Sequence, residues 1–134
     1  LELGGKSPVV VGKNSKIKDA AQKVMQGKTM NAGQICLAPD YALIAKDDLD
    51  QFVEESVNVV SKMYPTLKDN DDYTSVINEK HYDRILKHVE DAKEKGADIV
   101  EINPGDEDFS QQAHYKIPPT LVLNPTLNYL FQSH

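Results

Sequence analysis

The chain has 134 residues, enough for one domain with a modest core, and its 40% hydrophobic and 27% charged residues are the balance of a water-soluble globular protein. A net charge of -6, with no window in which lysines cluster with aromatic rings, argues against nucleic acid or an anionic membrane as the partner and leaves small molecules or proteins. No apolar run approaches the ~20 residues of a membrane span, no basic-then-apolar leader opens the chain, and a single cysteine, Cys36, rules out an internal disulfide framework, so the expected location is the reducing cytoplasm.

The chain opens with LELGGKSPVVV. Gly5, Lys6 and Ser7 also end the phosphate-binding loop of many nucleotide hydrolases, but that loop runs into a helix whose first amides hold the phosphate. Here Pro8 pushes Ser7 toward extended backbone, and Val9, Val10 and Val11 read as a buried strand, so a phosphate cradle is set aside. Ile17, Ala20, Ala21, Val24 and Met25 then share one helical face, with Ser15 as N-cap. DYALIAK reads as a second strand. Asp47 is expected to cap a helix with the buried stripe Leu49, Phe52, Val53, Val57 and Val60, which Tyr64 and Pro65 end.

After a polar loop, Asn78 and Glu79 start a third helix with Tyr82, Ile85, Leu86, Val89 and Ala92 turned inward and Gly96 at its C-terminal turn. The strand DIVEI follows. A loop rich in Gly, Pro and Asp from Asn103 to Asp108 leads to a last strand, PPTLVLN, beginning after Pro118 and Pro119. Strands alternating with helices predict an α/β fold with a mostly parallel sheet flanked by helices. The terminal LNYLFQSH resembles a rearranged protease-tag remnant followed by the start of a histidine tag. Residues 127–134 are therefore set apart as a tail, residues 1–126 are taken as part of one domain, and the whole is expected to be a segment of a longer protein.

The stretch Asn31, Ala32, Gly33, Gln34, Ile35, Cys36 places the sole thiol in a connection between the first helix and the second strand, where function concentrates in open α/β folds. Cys36 lies between Ile35 and Leu37, and spacing alone favours reading it as a small buried apolar side chain. His81 and His88 share a face of the third helix, but two full turns, ~10 Å, separate them and Arg84 accompanies His81. A solvated face accounts for them, and no metal site is expected. His114 and His134 have no neighbours in sequence that would recruit them.

Together, LELGGKSPVVV and NAGQICLAPDY resemble the two signature segments of the aldehyde dehydrogenase superfamily, over a likeness that runs from Leu1 to about Asn128. The first segment is similar to the one carrying the family's catalytic glutamate, here Glu2, and the second to the one carrying its catalytic cysteine, here Cys36, which follows by 34 positions. APDY after the cysteine, and INEKHYDRI later, are most similar to the branch of class 3 and coniferyl aldehyde dehydrogenases. The resemblance implies part of the catalytic domain of an NAD- or NADP-dependent enzyme that oxidises an aldehyde, aromatic if the branch holds, to an acid. A non-catalytic α/β structural or binding module is the alternative.

In that chemistry a thiol attacks the carbonyl to give the tetrahedral adduct from which hydride can leave. The resemblance makes Cys36 the nucleophile and Glu2 the base that assists it and later activates water on the thioester, with the Cys36 backbone amide helping to hold the oxyanion. It also implies that Leu3 and Gly4 lie against the cofactor, and that Gly4 and Gly5 are small because the nicotinamide passes close to them. The cofactor's main seat lies in parts of the family fold before Leu1 and after His134. The isolated chain is therefore expected to be inactive, and the parent to be a homo-oligomer.

Overall fold

The computed structural model describes residues 5–124, which form strand β1 (Ser7–Val10), helix α1 (Ile17–Thr29), strand β2 (Pro39–Leu43), helices α2 (Leu49–Met63) and α3 (Glu79–Glu94), and strands β3 (Asp98–Glu101) and β4 (Thr120–Leu123). β1 and β2 run parallel with α1 as their crossover, the arrangement that parallel pairing requires. Ser7 pairs with Pro39 and Val10 with Leu43, and the register shifts between Ser7 and Pro8, where proline has no N–H to give the ladder. The α/β class read from the sequence is what the chain adopts.

α1 and α2 pack over this unit. Val11, Ile17, Ala21 and Phe52 form one core cluster, with Val9, Ala20, Val24 and Ile44 against it. Val24 also borders the second cluster, Met25, Val60 and Ile102, which Val57 and Leu121 complete, so the core runs from β1 to the β3–β4 end of the molecule. Leu67, Ile102 and Val60 are among the most deeply enclosed side chains. At ~25 cal/mol per Å² of apolar surface withdrawn from water, such positions supply most of the stabilisation.

Four expectations from the sequence are corrected. Val10 is 74% exposed, because β1 packs on the core through one face only: Val9 and, beyond the strand, Val11 turn inward. Neither Ser15 nor Asp47 caps a helix: α1 starts after Lys16 and α2 after Asp48, neither with a side-chain cap bond. Instead, Ser15 closes a turn by donating its amide to the Gly12 carbonyl, and Asp47 sits in a single 3-10 turn, Lys46–Asp48. In α3, only Ala92 of the expected inward stripe is buried and Leu86 is 41% exposed, since the described elements cover just one edge of that helix. Finally, β3 and β4 pair antiparallel, Asp98 opposite Leu123, because the connection between them carries no crossover helix.

Asn78 does cap α3, its side chain accepting the His81 amide at 3.0 Å, and Gly96 ends the helix turn with a φ of +90°. The Asn103–Asp108 loop is a clamp. Glu107 accepts the amides of Leu67 at 2.6 Å and Lys68 at 3.1 Å, and Asn103 bonds the Glu107 backbone through both ends of its amide. Nearby, Lys116 is buried and gives its ammonium to the carbonyls of Leu67 and Asn70, at 3.2 and 2.6 Å. Buried polar N–H groups are stable only with such hydrogen-bond partners.

Candidate active site

α1 ends at Thr29, whose hydroxyl turns back to the Met25 carbonyl at 2.8 Å. After Met30, the residues Asn31, Ala32 and Gly33 all have left-handed backbone, with φ of 51°, 54° and 74°. Asn and Gly tolerate that region, whereas a run of three reverses the chain sharply at a cost of ~1 to 2 kcal/mol for each residue that carries a Cβ. A Cβ on Gly33 would stand 3.2 Å from the Lys28 carbonyl, so both conformation and space demand glycine there.

Out of this reversal comes a tight turn from Ile35 to Ala38, closed by the Ala38 amide on the Ile35 carbonyl at 2.9 Å. Cys36 occupies the turn and is exposed. Among the described residues the thiol is therefore not part of the core, in contrast to the buried reading, and Leu37 beside it is 74% exposed as well. The buried member of the segment is Ala38, at 8%.

Parallel pairing puts the N-terminal ends of β1 and β2 side by side, and so brings the two distinctive sequence segments together. The Ser7 hydroxyl lies 3.5 Å from the Cys36 carbonyl oxygen, and a Cβ built on Gly5 would lie 3.3 Å from the same oxygen. Gly5 is small for a reason visible here: its backbone abuts the cysteine peptide. Glu2, Leu3 and Gly4 fall outside the described residues.

Gln34, to which the sequence reading gave no role, ties the loop to a distant segment. Its Nε2 donates to the carbonyls of Asn31 and Ser75, both at 3.0 Å, and its Oε1 accepts the Ile77 amide at 2.9 Å. The Asn-Ala-Gly run was the available signal of a left-handed turn, but nothing in the sequence points from residue 34 to residues 75–77. The histidine face of α3 is remote in character: His81 Nδ1 faces the Arg84 guanidinium at 3.3 Å. Among the described residues no group of three His, Cys, Asp or Glu side chains is placed to hold a metal ion, and no helix is long and apolar enough to cross a membrane.

The exposed thiol thus stands on a hydrogen-bonded turn beside the side-chain-free backbone of Gly5, open to solvent. Known proteins are similar to the chain in sequence and in fold. The sequence model of the Aldehyde dehydrogenase family matches residues 1–132. The chain is 57% identical over 126 residues to the "Probable coniferyl aldehyde dehydrogenase" of Caulobacter vibrioides, covering 94% of this chain and 26% of that protein. The chain thus spans about a quarter of the length of the curated relatives it matches.

Among solved structures, the substrate-bound state of Staphylococcus aureus AldH superposes with a TM-score of 0.78 at 32% identity, over 93% of this chain and 26% of that one. The NADP-dependent glyceraldehyde-3-phosphate dehydrogenase of Bacillus halodurans C-125, complexed with NADP, superposes with a TM-score of 0.73 at 28% identity, over 90% of this chain and 24% of that one. With nearly every residue inside the family match, and the fold shared as well, the chain belongs to the aldehyde dehydrogenase family.

Proposed function

We propose that the protein oxidises an aldehyde to a carboxylic acid, with Cys36 as nucleophile and Glu2 as general base. The observation that carries this reading is the exposed Cys36 on a turn braced against Gly5 and Ser7, since it presents a thiol where a carbonyl carbon can reach it. The Cys36 thiol gives its proton to Glu2, which passes it to solvent, as the sulfur bonds to the aldehyde carbon, and the oxyanion that forms is held by preorganised donors, among them the Cys36 backbone amide. A nicotinamide dinucleotide bound beside Leu3 and Gly4 would supply the acceptor for the hydride that leaves this carbon. Loss of hydride converts the adduct to a thioester on Cys36. Glu2 then takes a proton from water, the hydroxide displaces the sulfur, and acid and thiolate separate.

Leu3 and Gly4 are the residues proposed to hold the nicotinamide. The described neighbourhood fits a flat ring in one respect: Gly5 presents bare backbone beside the exposed cysteine, so no side chain stands between them. The relative with NADP bound supports a cofactor of this class, and the 57% identity to the Caulobacter protein supports an aromatic aldehyde of the coniferyl type. Residues 1–126 would then be part of the catalytic domain, and the whole protein a cytoplasmic homo-oligomer; the chain by itself would lack turnover.

Cys36→Ala in the whole protein tests the reading. Reduced nicotinamide should no longer form with aliphatic or aromatic aldehydes, while cofactor affinity stays within a few-fold of the parent. Retained turnover would remove Cys36 as nucleophile. Unchanged thiol reactivity relative to free cysteine, with no turnover in the parent, would favour a binding module instead.

A further inference from the structure

We propose that Gln34 is a positioning residue for the Cys36 thiol, a staple that fixes the turn carrying it to the 75–77 segment; this rests on the reading of Cys36 as nucleophile. Three observations carry it. The Gln34 amide is used at both ends, Nε2 to the Asn31 and Ser75 carbonyls at 3.0 Å each and Oε1 to the Ile77 amide at 2.9 Å. Asn31 returns the contact, its Nδ2 donating to the Gln34 carbonyl at 3.3 Å, and the Gln34 amide donates to the Asn31 carbonyl at 3.0 Å, so the left-handed reversal is closed from both sides.

The far end of the staple is itself anchored. Val76, between the two bonded residues, is 6% exposed and donates its amide to the Tyr115 carbonyl at 3.0 Å. Cys36 follows Gln34 by two residues, and among the described residues its thiol has no hydrogen-bond partner, so the direction of its Cα–Cβ bond is inherited from the loop. Gln34 itself is exposed, and bonds at the surface compete with water. Its effect is therefore on the placement of the thiol more than on global stability.

Only a primary amide of this length meets the pattern. A glutamate would set carboxylate oxygen against the carbonyls of Asn31 and Ser75, where two donors now stand. Alanine would release the loop without repulsion. The expected order of kcat in the whole protein is therefore Gln34, then Gln34→Ala, then Gln34→Glu.

The test combines turnover with amide hydrogen exchange on the whole protein. Gln34→Ala should lower kcat by roughly 10- to 100-fold with KM within about 3-fold, since a misplacement of the order of 1 Å costs about that much. Exchange at the Ile77 amide should speed up, and so should exchange at the Ala38 amide, which closes the Cys36 turn without touching Gln34. A kcat within about 3-fold of the parent, or unchanged exchange at Ala38, would overturn the proposal. The exchange measurement needs no catalysis. If Cys36→Ala keeps full turnover, the nucleophile reading fails by itself, while Ala38 exchange still reports whether Gln34 holds the turn.

Discussion

The backbone of Gly5 lies so close to the Cys36 carbonyl oxygen that a Cβ on Gly5 would stand 3.3 Å from it. The neighbour is a peptide oxygen, which cannot swing away as a side chain can. Parallel pairing of β1 with β2 brings these residues together from positions 31 apart in the chain, and the Ser7 hydroxyl at 3.5 Å shares the same oxygen.

Gly5→Ala should consequently displace the Cys36 peptide by a few tenths of an ångström. The expected result in the whole protein is a kcat lower by about 10-fold, since reacting groups must be held close to their productive geometry. Steady-state kinetics and a thermal melt on the same preparation check this. The melting temperature should move little, because the residue is exposed and no core contact is lost.

Gly33→Ala acts on stability. Its φ of +74° is a left-handed conformation, and the new methyl would meet the Lys28 carbonyl at 3.2 Å. A loss of about 1 to 3 kcal/mol is expected from urea unfolding. Gly33→Asn should cost less, since asparagine visits the left-handed region more readily. Equal costs for the two would mean that space rather than backbone conformation sets the requirement.

Tyr73 gives a pH dependence. The side chain is buried, donates its hydroxyl to the Ile117 carbonyl at 2.6 Å and meets Tyr64 edge-on at a centroid distance of 5.3 Å. Burial, with a smaller contribution from Tyr64, pushes its phenol well above the ordinary tyrosine range. The unfolded chain therefore ionises first. Its contribution is fully present below pH ~10 and is lost as pH rises from there toward the folded value, at up to ~1.4 kcal/mol per unit. Tyr73→Phe should flatten that part of the stability curve while costing about 1 kcal/mol near neutrality for the lost hydrogen bond. Parallel curves for the two proteins above pH 10 would contradict this.

How far these features could be read in advance depended on their range. Helical periodicity located α1, α2 and α3, and Asn78 with Glu79 marked the start of α3 because a cap is chemistry between residues three apart. Caps at Ser15 and Asp47 failed, since the chain had local alternatives, a turn onto Gly12 and a 3-10 turn. The exposure of Leu86 depends on what packs against α3, which periodicity does not contain. The place of Cys36 in the connection between α1 and β2 was legible from the elements on either side. The staple from Gln34 was not, because its partners lie 41 and 43 residues away and are backbone groups that any residue type would offer. Burial of Lys116 beneath the carbonyls of Leu67 and Asn70 was hidden for the same reason.

The central proposal is a covalent acyl intermediate on Cys36, and trapping it is the most direct measurement. The whole protein, with Glu2→Gln to slow hydrolysis, is mixed with oxidised nicotinamide cofactor and an aromatic aldehyde, quenched in acid, and digested with trypsin. Loss of a general base typically slows its step ~10²- to 10⁴-fold, so the acylated form should accumulate. The peptide of residues 29–46, which contains Cys36, should then carry the mass of the acyl group in stoichiometric yield, and should lose it on treatment with hydroxylamine. A burst of reduced cofactor stoichiometric with the protein, followed by slow turnover, with that peptide unmodified throughout, would contradict the assignment of Cys36.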